Sequence, residues 1–138
     1  MKDLGIVKNW TQTEFLLDML EYYTQDTNRR CVKSNGRCTY NPINADKQGI
    51  SEGCAIGRWM TPEHQNRGDL NFCIAADLPK ETISNLLHLD VIFLTACQSL
   101  HDHREYWGDN ELSFSGTQKL KNLIVTYNLD EKVFAKYL

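Results

Sequence analysis

The chain has 138 residues, 41% hydrophobic and 24% charged, a composition that fits one globular domain over 1–138 and excludes a disordered chain. A domain of this length needs neither metal nor disulfide merely to fold. The formal charge of −3 argues against a general nucleic-acid coat, which is normally basic. No stretch approaches the ~18 apolar residues of a membrane span, and the start lacks a signal-peptide core. The expectation is therefore a cytoplasmic protein with no membrane partner, whose thiols are kept reduced. Five cysteines at irregular spacing, Cys31, Cys38, Cys54, Cys73 and Cys97, do not make a disulfide framework.

The first predicted helix begins after Thr11, with Glu14 completing a capping box and Trp10 and Phe15 placed as a hydrophobic staple. Phe15, Leu16, Met19, Leu20 and Tyr23 recur at helical spacing and predict one buried face, fading near Asp26-Thr27-Asn28. Asn35-Gly36 between short β-capable runs then predicts a hairpin with a type I′ turn. In that register Cys31 faces Tyr40 and Val32 faces Thr39. Residues 41–52 read as a polar loop. Gly53-Cys54-Ala55-Ile56-Gly57-Arg58-Trp59-Met60 reads as a tight turn or short helix whose small residues let backbones approach. Thr61-Pro62 starts a further helical turn.

The second half is predicted helical. A short helix runs through Ile83, Leu86 and Leu87. Asp90 caps a central apolar helix carrying Val91, Phe93, Leu94, Cys97 and Leu100, which ends in His101-Asp102-His103-Arg104-Glu105. Ser113 caps the next helix, with Leu120, Leu123, Ile124 and Tyr127 as its stripe and Asn128 as its stop. Asp130 caps a last short helix, whose Val133, Phe134 and Tyr137 leave a self-paired homodimer open. The fold expectation is mainly α (α+β): about five helices with a small antiparallel β-hairpin packed on them.

Three chemistries compete for the polar residues. The first is a cysteine-dependent hydrolase. Ser34-Asn35-Gly36-Arg37-Cys38-Thr39-Tyr40 resembles the nucleophile segment of ovarian-tumour-type cysteine proteases, with His101 or His103 as base and Asp102 as orienter. Against it, Cys38 follows a hairpin turn and lacks the helix N-terminus that lowers a thiol pKa. The second is a zinc-stabilised adaptor, with Cys31, Cys38, Cys54 and Cys73 converging and His64 as an alternative ligand. Against it, no close cysteine pair exists, and the helical pair Cys97 and His101 has no partners.

The third is binding. Arg29, Arg30, Lys33 and Arg37 fall within nine residues of an acidic protein, and Arg58 follows the small-residue turn. Such a cluster suits a phosphate or a carboxylate. Tyr22, Tyr23, Tyr40 and Trp59 add a stacking surface, which points to a nucleotide-like small molecule or an acidic protein partner. Arg58, in apolar company, is expected to pair with Asp102, Glu105 or Asp109. No Gly-rich phosphate loop or dinucleotide fingerprint is present, so no cofactor is implied.

Asn35-Gly36-Arg37-Cys38-Thr39-Tyr40, then Gly53-Cys54-Ala55-Ile56-Gly57-Arg58, then Leu100-His101-Asp102 before Trp107, resembles a loose group of small proteins of bacteriophage and prophage genomes. The resemblance runs from about Tyr22 to Leu129 and carries no catalytic residue with it. It implies a setting: a phage accessory protein in the bacterial host cytosol that binds and blocks a host or defence component. The sequence reading is thus a non-enzymatic binding protein, centred on Arg29, Arg30, Lys33, Arg37, Tyr40, Arg58 and Trp59.

Overall fold

The computed structural model describes residues 2–33, 39–67 and 77–138, and over these the protein is mainly helical. Helix α1 (Gln12–Gln25) starts where its chemistry says it should. Thr11 Oγ1 accepts from Glu14 N at 3.2 Å, and the Glu14 carboxylate accepts from Thr11 N at 3.2 Å. Phe15, Leu16, Met19, Leu20 and Tyr23 are buried along one face. Trp10 meets Trp59 edge-on at 5.1 Å, and Phe15 meets Phe93 at 6.1 Å.

The short helix α2 (Pro62–Gln65) follows its Thr61 cap and first-position proline. A 3₁₀ segment, Lys80–Leu86, is kinked at Ile83 and leads to α3 (Val91–Asp102). Asp90 caps α3 by accepting from Ile92 N at 2.7 Å. Phe93, Leu94, Cys97 and Leu100 of α3 are buried in the same core as the face of α1, where Phe93 meets Phe15. Ser113 caps α4 (Phe114–Thr126), and Asn128 at φ 53° ends that run in the left-handed conformation of a helix stop. A final 3₁₀ segment, Glu131–Tyr137, sends Phe134 wholly into the core. Five helical elements of seven residues or more are therefore present among the described residues. With Phe134 internal, the apolar face expected on the last helix reduces to Val133 and part of Tyr137.

Residues 53–60 form the tight segment that carries Arg58. Gly53 adopts φ +131°, and a Cβ on Gly57 would collide with the Tyr40 carbonyl oxygen, so two backbones touch where only glycine fits. Tyr23 Oη donates to Gly53 O at 2.6 Å, and Gln98 Oε1 accepts from Ile56 N at 3.2 Å. These bonds tie the segment to α1 and α3.

The hairpin expected around Asn35-Gly36 lies outside the described residues, as do Arg37, Cys38 and Cys73. Its flank corrects the expected register. Thr39 N donates to Cys31 O at 3.0 Å, and the Cys31 thiol meets Thr39 Oγ1 at 3.4 Å, so Cys31 pairs with Thr39 rather than Tyr40. Tyr40 is held instead against the glycines of residues 53–57. No single described helix is long and apolar enough to cross a membrane.

Candidate functional site

The basic residues divide into two groups with different surroundings. Arg58 leaves the 3₁₀ turn Gly57–Trp59 and is 6% exposed. Its Nη1 donates to Asp18 Oδ2 at 2.8 Å, its Nε donates to Glu52 Oε2 at 3.1 Å, and its guanidinium lies 3.8 Å from the Tyr22 ring centre. Lys2 closes the cluster. Its ammonium donates to Glu52 Oε2 at 2.8 Å and to Arg58 O at 2.7 Å, over the face of Trp59.

Burial, helped by the nearby Arg58 charge, lowers the Lys2 pKa to about 8. Burial would raise the Glu52 carboxyl, but the hydrogen bond and charge of Lys2, with Arg58, hold it below the usual range. The partners expected for Arg58, namely Asp102, Glu105 and Asp109, are thus replaced by Asp18 and Glu52. The physical reason lies in α1, where Asp18 and Tyr22 stand one turn apart and present a carboxylate and a ring to the same guanidinium.

Arg29 turns back on α1, donating to Tyr22 O at 3.1 Å and Gln25 Oε1 at 2.9 Å. Arg30 crosses to the other end of the core. Its Nε donates to His101 O at 2.8 Å and its Nη2 donates to Asp102 O at 2.9 Å. It supplies donors to carbonyls that the end of α3 leaves without helical partners, where a cation also suits the dipole.

His101 is fully buried beneath it. Its Nε2 accepts from Cys31 N at 3.0 Å, and its Nδ1 meets Asp102 Oδ1 at 2.7 Å. Gln98 Nε2 donates to the same carboxylate oxygen at 2.7 Å. These contacts fix the neutral tautomer with the proton on Nδ1. Burial lowers the His101 pKa, outweighing the pull of Asp102. The lone pair that a general base would use is occupied by a backbone N–H.

His103 is exposed and bonds Ser99 O through Nδ1 at 2.8 Å. His64 faces its own cap, Thr61, at 3.1 Å. Burial pushes the Cys31 thiol up to about 12 and raises Cys97 strongly. The Cys54 sulfur accepts from Gly57 N. Among the described residues, no three His, Cys, Asp or Glu side chains are grouped to hold a metal ion.

Arg30 reaches a place that the sequence did not announce. A cavity of about 400 Å³ is lined by Arg30, Lys47, Arg104, Trp107, Thr27 and Asn28, and among the described residues no carboxylate lines it. Arg104 arrives on the 3₁₀ turn Arg104–Tyr106 that follows α3. Lys47 follows the 3₁₀ turn Pro42–Ala45, whose end at Asp46 takes a left-handed φ of 55°. Trp107 is pinned by its indole N–H, which donates to Leu100 O at 2.8 Å. Among the described residues neither Lys47 nor Arg104 makes an ion pair.

Comparison with protein-family models, with curated proteins and with solved structures found no match. Of the expected binding residues, Arg30 lines the groove. Arg58 and Trp59 sit in the ion-paired cluster with Lys2, Arg29 lies on the α1 end nearby, and Tyr40 is buried. Lys33 is partly buried and not in the groove wall, and Arg37 lies outside the described residues. Lys47, Arg104 and Trp107 escaped the sequence reading because only packing brings positions so far apart to one cavity. The one legible signal was the polar run after α3, which ends in Arg104-Glu105 before Trp107.

Proposed function

We propose that this protein is a non-enzymatic binding protein that takes an anionic group in the groove formed by Arg30, Lys47, Arg104 and Trp107. The observation that carries the reading is a cavity lined by three cationic side chains and, among the described residues, by no carboxylate, on a chain of net charge −3. The ligand is either the acidic segment of a host or defence protein or a phosphate-bearing small molecule. The phage setting implied by the sequence resemblance fits a protein that works by blocking or sequestering. The cysteine-hydrolase alternative draws less support, because the Nε2 lone pair of His101 already accepts from Cys31 N.

The test is an NMR titration that follows the Trp107 indole N–H, assigned with a Trp107→Phe variant. Inorganic phosphate, a nucleoside monophosphate and a short poly-glutamate peptide are added in turn at low ionic strength. A saturable shift with at least one of them is expected. If all three leave the resonance in place, the groove is not an anion site and the reading fails.

A further inference from the structure

We infer that the ligand of this groove is a phosphate monoester with an apolar body, a mononucleotide-like small molecule rather than an acidic peptide. The inference rests on the binding function proposed above and narrows it to one chemistry.

The first argument is donor balance. Arginine and lysine offer only hydrogen-bond donors, and of the two other polar side chains described in the wall the Asn28 amide can also donate, while the Thr27 hydroxyl is engaged with Asn110. A phosphate group brings only acceptor oxygens when ionised and satisfies such a wall without leaving a donor facing a donor. An acidic peptide brings a backbone N–H with nearly every carboxylate, and this wall has few acceptors to receive them.

The second argument is charge and size. A phosphate monoester carries about −1.5 to −2 at neutral pH, which matches the two rim cations, Lys47 and Arg104, that no described carboxylate neutralises. A cavity of about 400 Å³ falls in the range of small-molecule clefts. The same cations spread along an open surface would favour an extended partner.

The third argument is preorganisation. The Arg30 guanidinium is fixed by His101 O and Asp102 O, and the Trp107 ring by Leu100 O, so one wall is set before a ligand arrives. Val32 and Trp107 provide an apolar wall for the uncharged part of the ligand. Arg104 is exposed and Lys47 only partly buried, so both side chains can close on the phosphate.

The experiment is calorimetric titration of the full chain with AMP, inorganic phosphate and a poly-glutamate peptide at low ionic strength. AMP is expected to bind, and inorganic phosphate to bind more weakly because it lacks the apolar body. Lys47→Ala and Arg104→Ala should each weaken AMP by about tenfold, the loss of one charge-assisted contact. Lys121→Ala, a substitution on α4 outside the groove wall, should leave AMP binding unchanged, and circular dichroism verifies that each variant is folded. AMP binding that is absent, or equally sensitive to Lys121→Ala, overturns the inference. Peptide binding without AMP binding also overturns it and leaves the wider binding function standing. Inorganic phosphate binding as tightly as AMP removes the apolar body from the proposal. If no anion binds, both readings fall together.

Discussion

Arg58 and Arg30 are both arginines, both nearly buried at 6% and 8% exposure, and both hydrogen-bonded through Nε and a terminal nitrogen. Their surroundings are opposite in kind. Arg58 meets two carboxylates and a tyrosine face, and a lysine joins the same carboxylate, so the cluster is a closed ion-pair knot. Arg30 donates to two backbone carbonyls at the end of a helix and lines a cavity where the described residues add further cations and no carboxylate. A carboxylate supplies a whole countercharge, whereas a carbonyl supplies only a fraction of one. The first region therefore spends its charge on holding α1, the N-terminal segment and residues 52–59 together. The second brings Lys47 and Arg104, which pair with no described carboxylate, to a cavity.

The sharpest way to break this comparison is Arg58→Ala. It leaves Asp18, Glu52 and Lys2 without their shared centre and opens a gap beside Tyr22. Removing one member of a buried ion pair costs about 3–5 kcal/mol, and the lower end applies because Asp18 and Glu52 are partly solvated. Urea unfolding should show a large fall in midpoint. A change no greater than that of a surface substitution would show that the knot is not structural.

A smaller effect belongs to the Arg30 side and depends on pH. His101 is buried and neutral in the folded state, and its pKa is lowered from the ordinary 6.5 mainly by burial. The unfolded chain therefore takes up a proton first as the pH falls. The stabilisation is fully present above about pH 6.5 and is lost as the pH drops toward the folded value, with a slope of at most ~1.4 kcal/mol per pH unit. Protonation at Nε2 would place a second N–H against the N–H of Cys31 and uncouple the end of α3 from Cys31. NMR titration of the His101 ring in the folded protein tests this, with His64, His88 and His103 as internal comparisons. A folded-state midpoint at or above 6.5 would sink the idea. The Arg58 knot contains no histidine and should not share this dependence.

The difference between the two regions also marks how far the sequence could be read. Helix starts at Thr11, Asp90 and Ser113, and the stop at Asn128, were legible because each depends on a local hydrogen bond or backbone conformation within a few residues. The close approach at Gly53 and Gly57 was legible from residue size. The partner of Arg58 was not, because periodicity says that Asp18 and Tyr22 share a helix turn but not which segment crosses them. At Cys31 the partner differs by one residue from the expected Tyr40: Thr39 N donates to Cys31 O, while Cys31 N is taken by the His101 ring, a tertiary contact that local pattern does not show. Lys47 carried no motif, and nothing in the polar run at Arg104 or in the pattern ending at Trp107 said that the three would meet. Their juxtaposition is a product of α3 ending beside residues 27–32, and that is a tertiary fact.

The smallest expected effect is the most telling. Arg104 is exposed, and no ion pair or hydrogen bond holds its side chain among the described residues. Arg104→Glu reverses a charge yet removes nothing that the fold uses, so stability should stay within about ±0.5 kcal/mol. The same substitution places a carboxylate in a wall whose described residues include none, so it repels an incoming anion and offers the remaining cations an internal countercharge. In effect it converts the Arg30 region toward the condition of the Arg58 region. Urea unfolding and the Trp107 titration, run on one preparation, separate the two outcomes. Unchanged stability with lost anion response is the signature of charge kept for a ligand. A marked loss of stability would mean that Arg104 belongs to the architecture, and that the two regions differ less than their countercharges suggest.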